Sequence, residues 1–316
     1  MAMILIVTAI FGTNLNAQER NDVIKVYNEG AQAMQTDLPV AIEAFEKVIV
    51  LSDQAGETTD DLKQKAVQVL PGLYFKVAYN YLNEKRPEQE IINAAKKAAA
   101  AADKYGSTSN KDNSVKILVQ VYNTMATNFF SKNDYDNALL AFDSVLAINP
   151  GYLTSIYNKA LIYIRQNNNS AFEETIDLFL EKVAGGNNEA RVKQASTLAL
   201  EYFRAAGSRA IQADNLDEAL GLLNKAAKYG DDKDLFYYFA DIYNKQKKFD
   251  LGAEYAQKGL DLDMGDAEAK AKYYFQLGLA QEGKGQTSDA CTSFKNSSFG
   301  AFAEPSKIQR SNLKCE

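Results

Sequence analysis

The sequence contains no histidine and no tryptophan, and it has only two cysteines and five prolines. Without histidine, a Ser-His or Cys-His nucleophile pair cannot form, and the commonest zinc ligand is missing. No pair of carboxylates stands out from the acidic residues that helix surfaces normally carry. The sequence therefore favours a protein that is not an enzyme, and it predicts no metal site and no cofactor.

The chain carries little excess charge and no clustered basic face. Its 316 residues are 46% hydrophobic and 24% charged, which is ample for a buried core, and the net charge is −6. Phosphate binding needs clustered lysines and arginines, so we expect no nucleic-acid partner. The one compact basic run, Lys245 to Lys248, is interpreted as a solvated turn between helices.

The one long apolar run, from Met3 to Phe11, is interrupted only by Thr8. It is far shorter than the ~20 residues that span a bilayer. It fits the apolar core of a secretory signal, with cleavage after Ala17, although no lysine or arginine precedes it. We therefore expect a signal peptide over residues 1–17, a periplasmic or secreted protein, and no transmembrane segment in the mature chain. The alternative is an N-terminal apolar segment that is disordered or buried.

Small residues recur at a regular spacing along the chain. The first set is Ala126, Ala160, Gly207, Ala240 and Gly278. About twelve residues later comes a second set, Ala138, Thr175, Ala219, Gly252 and Ala290. Four residues beyond that lie Phe142, Phe179, Leu223, Ala256 and Phe294. Because residues three and four apart share one helix face, this spacing predicts paired helices that approach closely at small residues, with a larger side chain beside them.

This pattern resembles the tetratricopeptide repeat (TPR), best over Ser114 to Ser298. The resemblance implies an all-α fold, an α-solenoid of about seven helix hairpins in a right-handed superhelix with a C-terminal capping helix. The expected hairpins are 22–52, 59–104, 113–149, 152–184, 190–229, 233–263 and 268–299. We expect divergent hairpins over 18–106, the main array over 107–299 and the cap over 300–316. We also expect a kink or break at Pro71 and a linker-like stretch from Tyr105 to Ser114.

In TPR proteins the first helix of each hairpin lines a concave groove that binds peptides or helices. Residues at the corresponding positions flank the small residue of each first helix. They are Asn123, Tyr157, Leu161, Arg165, Arg204, Gln212, Tyr237, Asp241, Asn244, Lys245 and Phe275. Tyrosine and arginine are favoured at interaction hot spots, although any amphipathic helix exposes residues of these kinds.

The two cysteines, Cys291 and Cys315, both lie near the end of the chain. In an exported protein they can pair, closing a loop of roughly 25 residues and stabilising the fold by ~3–4 kcal/mol in the chain-entropy model. The alternative is two free thiols, with Cys291 packed as a small hydrophobe.

These features favour a non-catalytic scaffold of the bacterial cell envelope that binds protein partners in its groove. The composition and the "NAQ" stretch are similar to those of exported repeat proteins from Bacteroidetes-type bacteria. One alternative is a small-ligand carrier or enzyme on a helical-repeat frame. Another is a cytoplasmic adaptor, which holds if the N-terminus is not a signal.

Overall fold

The computed structural model describes the backbone of residues 5–186 and 188–315 and the side chains from residue 18 onward. Within these ranges the chain forms helices joined by short turns and contains no strand. The predicted signal peptide, residues 1–17, lies outside the residues whose side chains are described. The all-α prediction is confirmed.

Seven helix hairpins and a short C-terminal helix follow one another in the described part of the chain. Their helices are α1 (Leu5–Ala33), α2 (Leu38–Ala55), α3 (Asp60–Asn83), α4 (Glu88–Lys104), α5 (Thr108–Ser131), α6 (Tyr135–Ile148), α7 (Leu153–Arg165), α8 (Asn169–Ala184), α9 (Glu189–Gln212), α10 (Leu216–Ala227), α11 (Lys233–Lys245), α12 (Phe249–Leu262), α13 (Ala267–Gly283), α14 (Thr287–Asn296) and α15 (Ala303–Asn312). The predicted number of hairpins is therefore confirmed, whereas the handedness of a superhelix stays a prediction.

The polar turns inside the hairpins adopt left-handed backbone conformations. Asn133, Asn167 and Asp214 have φ values of 59°, 53° and 60°. Asparagine and aspartate tolerate this region better than other side chains, because their short polar groups bond locally to the backbone. Asp134 then starts α6 by accepting a hydrogen bond from the Asn137 backbone N–H at 3.4 Å. These turns reverse the chain, so the two helices of each hairpin lie antiparallel.

Small residues lie where the two helices of a hairpin cross. Ala126 and Ala138, which belong to one hairpin, are both fully buried. A Cβ placed on Gly207 would lie 2.5 Å from Leu223 Cδ2, and one on Gly278 would lie 2.7 Å from Phe294 Cε1. The larger side chain of the second helix thus covers the small residue of the first, as the spacing predicted.

Contacts divide the chain into two compact units, Met1–Ser155 and Ile156–Glu316, with the boundary inside α7. In the first unit α3 contacts both α1 and α5, and in the second unit α11 contacts both α9 and α13. Second helices of successive described hairpins, such as α2 and α4 or α10 and α12, make no comparable backbone contacts. In the pair α8 and α10 only long side chains bridge the gap, where Lys225 and Lys228 form ion pairs with Glu173 and Asp177. Within each unit, the first helices therefore form a close inner row and the second helices form a more widely spaced outer row.

Two local predictions concern Pro71 and the linker-like stretch. The helix α3 continues from Asp60 to Asn83 with Pro71 inside it, so the helix does not break there, whereas a kink at Pro71 stays a prediction. A proline removes one helical hydrogen bond, and the packing of Leu70 and Leu73 in the core holds the two sides together. The linker-like stretch is short, because α5 begins at Thr108 and packs against α4.

The C-terminal helix α15 is attached to the last hairpin by a disulfide bond between Cys291 and Cys315, whose Cα atoms are 5.6 Å apart. The predicted pairing is confirmed. At the other end of the cap, the Phe302 ring lies 5.3 Å from the ring of Phe275. The cap therefore covers the end of the last hairpin.

The crossing at Gly278 gives a first prediction. We expect Gly278→Ala to lower the free energy of unfolding by about 1–3 kcal/mol, because the new methyl group would strike the fully buried Phe294 ring. Urea denaturation of the purified protein measures this change.

The matched control is Gly221→Ala in α10, where an added Cβ meets nothing within 4 Å. This change should stabilise the protein by about 0.4–1 kcal/mol through helix propensity alone. If both variants gained stability, the close-crossing explanation would be wrong.

Candidate functional site

Most of the predicted groove residues of the second unit lie on the inner row formed by α9, α11 and α13. Arg204 lies on α9, while Tyr237, Asp241 and Asn244 lie on α11 at helical spacing. Because the first helices contact each other, these side chains face neighbours across the row. We call this group, together with its partners on α13, the inner network.

Ion pairs link the three helices of the inner network. Arg204 Nη1 pairs with Asp232, the N-cap of α11, and lies 3.7 Å from Asp234 Oδ2. Asp234 also accepts from Lys272 of α13. Burial of the Asp234 carboxyl opposes its ionisation, but the hydrogen bond from Lys272 and the charges of Lys272, Arg204 and Lys233 hold its pKa below the usual range. The charges of these residues are therefore largely compensated inside the protein.

The ring of Tyr237 is packed rather than freely presented. It lies edge to face with the ring of Tyr273, with centroids 6.3 Å apart and an interplanar angle of 86°. The Lys272 ammonium lies 5.6 Å from the Tyr237 centroid. Burial raises the pKa of Tyr237, so its hydroxyl stays protonated at neutral pH.

A chain of amide and carboxylate groups continues the network. Asn244 Nδ2 donates to the Gln276 backbone oxygen at 2.8 Å and to Gln276 Oε1 at 2.9 Å. Gln276 Nε2 donates to Asp241 Oδ1 at 3.2 Å, and Lys245 pairs with Asp241 at 3.1 Å. A Cβ on Gly252 would lie 2.1 Å from Asn244 Oδ1, so this asparagine also fills the small-residue crossing of its hairpin.

The Phe275 ring is half-buried against two other aromatic rings. Its ring lies 5.7 Å from the ring of Phe294 and 5.3 Å from that of Phe302, in the packing between the last hairpin and its cap. Sequence reasoning missed Lys272 and Gln276, which face α11 instead. Their four-residue spacing, matched by Tyr237 and Asp241 on the neighbouring helix, is the signal that could have identified them.

The open part of the inner row in the first unit lies on α5. A trough of about 540 Å³ is lined there by residues of α5, by Ile148 at the end of α6 and by the stretch that follows. We call it the inner trough; its residues are Val115, Lys116, Val119, Gln120, Asn123, Thr124, Ile148, Asn149 and Tyr152. The Oδ1 atom of Asn123 is buried yet has no hydrogen-bond partner among the described residues. The inner trough therefore offers an unused acceptor beside an apolar wall.

The remaining predicted residues are dispersed in the second unit. The ring of Tyr157 lies 5.2 Å from that of Phe179, and its hydroxyl accepts from Gln194 at 3.4 Å. Leu161 is half-buried, whereas Arg165 and Gln212 are exposed at the ends of their helices.

No group of three or more histidine, cysteine, aspartate or glutamate residues that could hold a metal ion occurs in the part of the chain that the structure describes. Over the same residues, no helix combines the length and apolarity needed to cross a membrane.

Comparison with known proteins returns solved structures only; no family model and no curated protein matches the chain. MamA is 20% identical, with 63% of this chain and 97% of MamA covered at a TM-score of 0.36. YrrB, a TPR protein with an unusual peptide-binding site, is 17% identical, with coverage of 56% and 84% at a TM-score of 0.33. A TPR protein from Parabacteroides merdae is 18% identical, with coverage of 94% and 99% at a TM-score of 0.29.

These scores are low, so the assignment of the fold rests on the chain itself. Its described residues form seven antiparallel hairpins that cross at small residues, and within each unit the first helices of successive hairpins contact each other. The protein has a TPR-type fold. This term describes the architecture and does not identify a partner or an activity.

The loop before α13 gives a prediction about pH. Asp263, whose side chain is 1% exposed, accepts from Lys233 Nζ at 3.0 Å and from the Gly265 backbone N–H at 2.9 Å. Burial opposes ionisation of this carboxyl, but the two hydrogen bonds and the charge of Lys233 lower its pKa. We expect Asp263→Asn to cost about 1–3 kcal/mol of stability at pH 7, because an amide N–H₂ would replace an acceptor oxygen.

The sign of the pH dependence follows from the lowered pKa. The carboxylate stabilises the fold fully above the unfolded-state pKa of about 3.9, and this contribution is lost as the pH falls through the lower folded-state value. Wild type and Asp263→Asn should therefore differ less in their free energies of unfolding in acid than at pH 7, as measured by urea denaturation. Asp261→Asn, at an exposed position of α12, should change stability little at any pH. If wild type and Asp263→Asn differed in free energy of unfolding by the same amount at pH 7 and in acid, the ionised Asp263 carboxylate would not be the stabilising group.

Proposed function

We propose that the protein is a non-catalytic scaffold that binds a segment of a partner polypeptide in the inner trough on α5. The observation that carries the proposal is the buried, unpartnered Oδ1 of Asn123 in a trough that also has an apolar wall. A buried acceptor without a donor costs stability, and a donor that arrives from outside would remove this cost. A peptide backbone N–H is such a donor, and an adjacent apolar side chain could lie against Val119 and Ile148.

The inner network of the second unit is less suited to partner binding than the inner trough. Arg204, Asp234 and Lys272 compensate each other, and Asn244 and Asp241 are bonded to Gln276. A partner that used the charged groups or the Asn244 amide N–H₂ would first have to break existing bonds. The Asn244 Oδ1 atom also has no hydrogen-bond partner among the described residues, but it is packed against Gly252 at the hairpin crossing. These groups are therefore better suited to fixing the spacing of α9, α11 and α13 than to binding, and they supply a rigid frame.

A small-ligand carrier or an enzyme is the second candidate. Small ligands are usually held in enclosed pockets with a few convergent polar groups. The inner trough is open to solvent along α5, and an extended or helical segment fits such a surface better.

The Asn123→Leu variant separates binding from folding. Because the change removes an unsatisfied buried oxygen, we expect the free energy of unfolding to stay constant or rise by up to about 1 kcal/mol. Partner binding should fall about tenfold, since one buried hydrogen bond is lost. Urea denaturation measures the first quantity, and photo-crosslinking in the native cells measures the second.

The crosslinker is placed at Gln120, an exposed position of the inner trough, and at Asp136, an exposed position of α6, as the control. We expect one defined adduct from position 120 that weakens in the Asn123→Leu background. Equal adducts from both positions, or an adduct that Asn123→Leu leaves unchanged, would show that the partner does not bind in the inner trough.

We further propose that the protein is exported and works in the cell envelope. The apolar run at Met3 to Phe11 and the small residue Ala17 support this proposal. The disulfide between Cys291 and Cys315 agrees with it, because such bonds persist in oxidising compartments.

N-terminal sequencing of the protein from its native cells tests the export proposal. We expect the mature chain to begin at Gln18 and the protein to be recovered with the envelope fraction. An intact Met1 on a protein recovered from the cytoplasm would favour the cytoplasmic adaptor instead.

A further inference from the structure

A second trough lies in the first unit, on the outer side of α3 between α2 and α4. It consists of two adjoining concavities of about 450 Å³ and about 330 Å³ that share Tyr74 and Lys97. We call it the outer trough; the residues used below are Ile42 and Glu46 of α2, Tyr74 and Val77 of α3, and Lys97 and Ala100 of α4.

The outer trough follows from the stacking of the hairpins. The first helices α1, α3 and α5 contact each other, whereas the second helices α2 and α4 stand apart in the described first unit. The face of α3 that lies between them is therefore left open. The wall formed by α4 carries small side chains, including Ala94, Ala100 and Ala101, so that nothing large fills the space.

The floor of the outer trough is held in place before any ligand arrives. The Tyr74 hydroxyl donates to Glu46 Oε1 at 2.8 Å, which fixes the ring against the α2 wall. At one end, the Arg86 guanidinium lies 4.3 Å from the centroid of the Tyr81 ring and pairs with Glu90 at 3.1 Å. A fixed aromatic floor favours binding, because little side-chain entropy is lost on contact.

The charge of the outer trough is positive in a protein whose net charge is −6. Glu90 pairs with Arg86, whereas Glu46 keeps its negative charge, because the Tyr74 hydroxyl that donates to it is neutral. Lys97 lines both concavities and has no ion-pair partner among the described residues, and Lys104 lines one of the two. The three cations Arg86, Lys97 and Lys104 therefore exceed the two anions Glu46 and Glu90 by one charge, beside tyrosine and aliphatic side chains.

We propose that the outer trough binds an acidic, amphipathic segment of a partner polypeptide. An apolar side chain of the segment lies on Tyr74 and Val77, and a carboxylate of the segment pairs with the Lys97 ammonium. The opposite charge of the segment selects it over basic sequences, and the apolar contact supplies most of the affinity. This site is separate from the inner trough, and the proposal does not depend on the function proposed for it.

The test uses the full chain and two fluorescent probe peptides of about 14 residues, each with leucines along one helix face. In one peptide the remaining positions are mostly glutamate, and in the other they are lysine. Fluorescence anisotropy should show that the acidic peptide binds at least about tenfold more tightly than the basic one.

Three variants locate the binding site. Lys97→Glu should weaken binding of the acidic peptide about tenfold, and Ala100→Trp should weaken it similarly by filling the trough from an exposed position. Lys96→Glu is the matched control, because it makes the same charge change at the neighbouring exposed residue of α4, which does not line the trough. It should change the affinity by less than about twofold. Thermal unfolding checks that all three variants are folded.

Four outcomes would overturn the proposal: no binding of the acidic peptide, equal binding of both peptides, equal effects of Lys97→Glu and Lys96→Glu, or no effect of Ala100→Trp. Asn123→Leu should leave the affinity for the probe unchanged. The experiments can therefore contradict the proposal for the outer trough without contradicting the proposal for the inner trough, and the reverse also holds.

Discussion

The close crossing of two helices at a small residue is the contact on which the rest of the structure depends. At Gly278 and Gly207, the side chains of Phe294 and Leu223 occupy the space that a Cβ would need. Burial of apolar side chains at these crossings drives the pairing of the two helices. Because glycine has no side chain, the helices can approach closely at this point. Because this contact recurs in successive hairpins, each hairpin presents a similar face to the next one, and local pairing becomes an array.

The same packing determines which polar groups remain available. In the second unit, contact between α9, α11 and α13 brings Arg204, Asp234 and Lys272 within reach of each other. Their charges neutralise one another, and removal of one partner would leave an uncompensated, partly buried charge. On α5, the Oδ1 of Asn123 has no such partner in the described structure. A polar residue at the surface is available for binding only if the neighbouring first helix does not already bond to its side chain.

The sequence predicts the hairpins well because their signals are local. Small residues at helical spacing and Asn or Asp in the turns constrain only a few neighbouring residues, and the structure confirms them at Ala126, Ala138 and Asn133. The candidate site is less predictable, because it depends on contacts between hairpins. Phe275 shows the limit: its spacing places it on the first-helix face, and the spacing does not reveal that the cap supplies Phe302, whose ring packs against it. Pro71 shows another limit, since α3 continues through this local helix breaker without a break.

The different spacing of the inner and outer helices also explains why concave surfaces occur on both sides of the hairpins in the first unit. Inner helices that touch leave little room except where a small or short polar residue opens a trough, as beside Asn123 on α5. Outer helices stand apart, and a long side chain on either wall is enough to close the gap between them. In α4 the alanines around Lys97 leave that gap open over the ring of Tyr74. The composition of one outer helix thus controls access to the inner helix behind it, without any change in the hairpin fold.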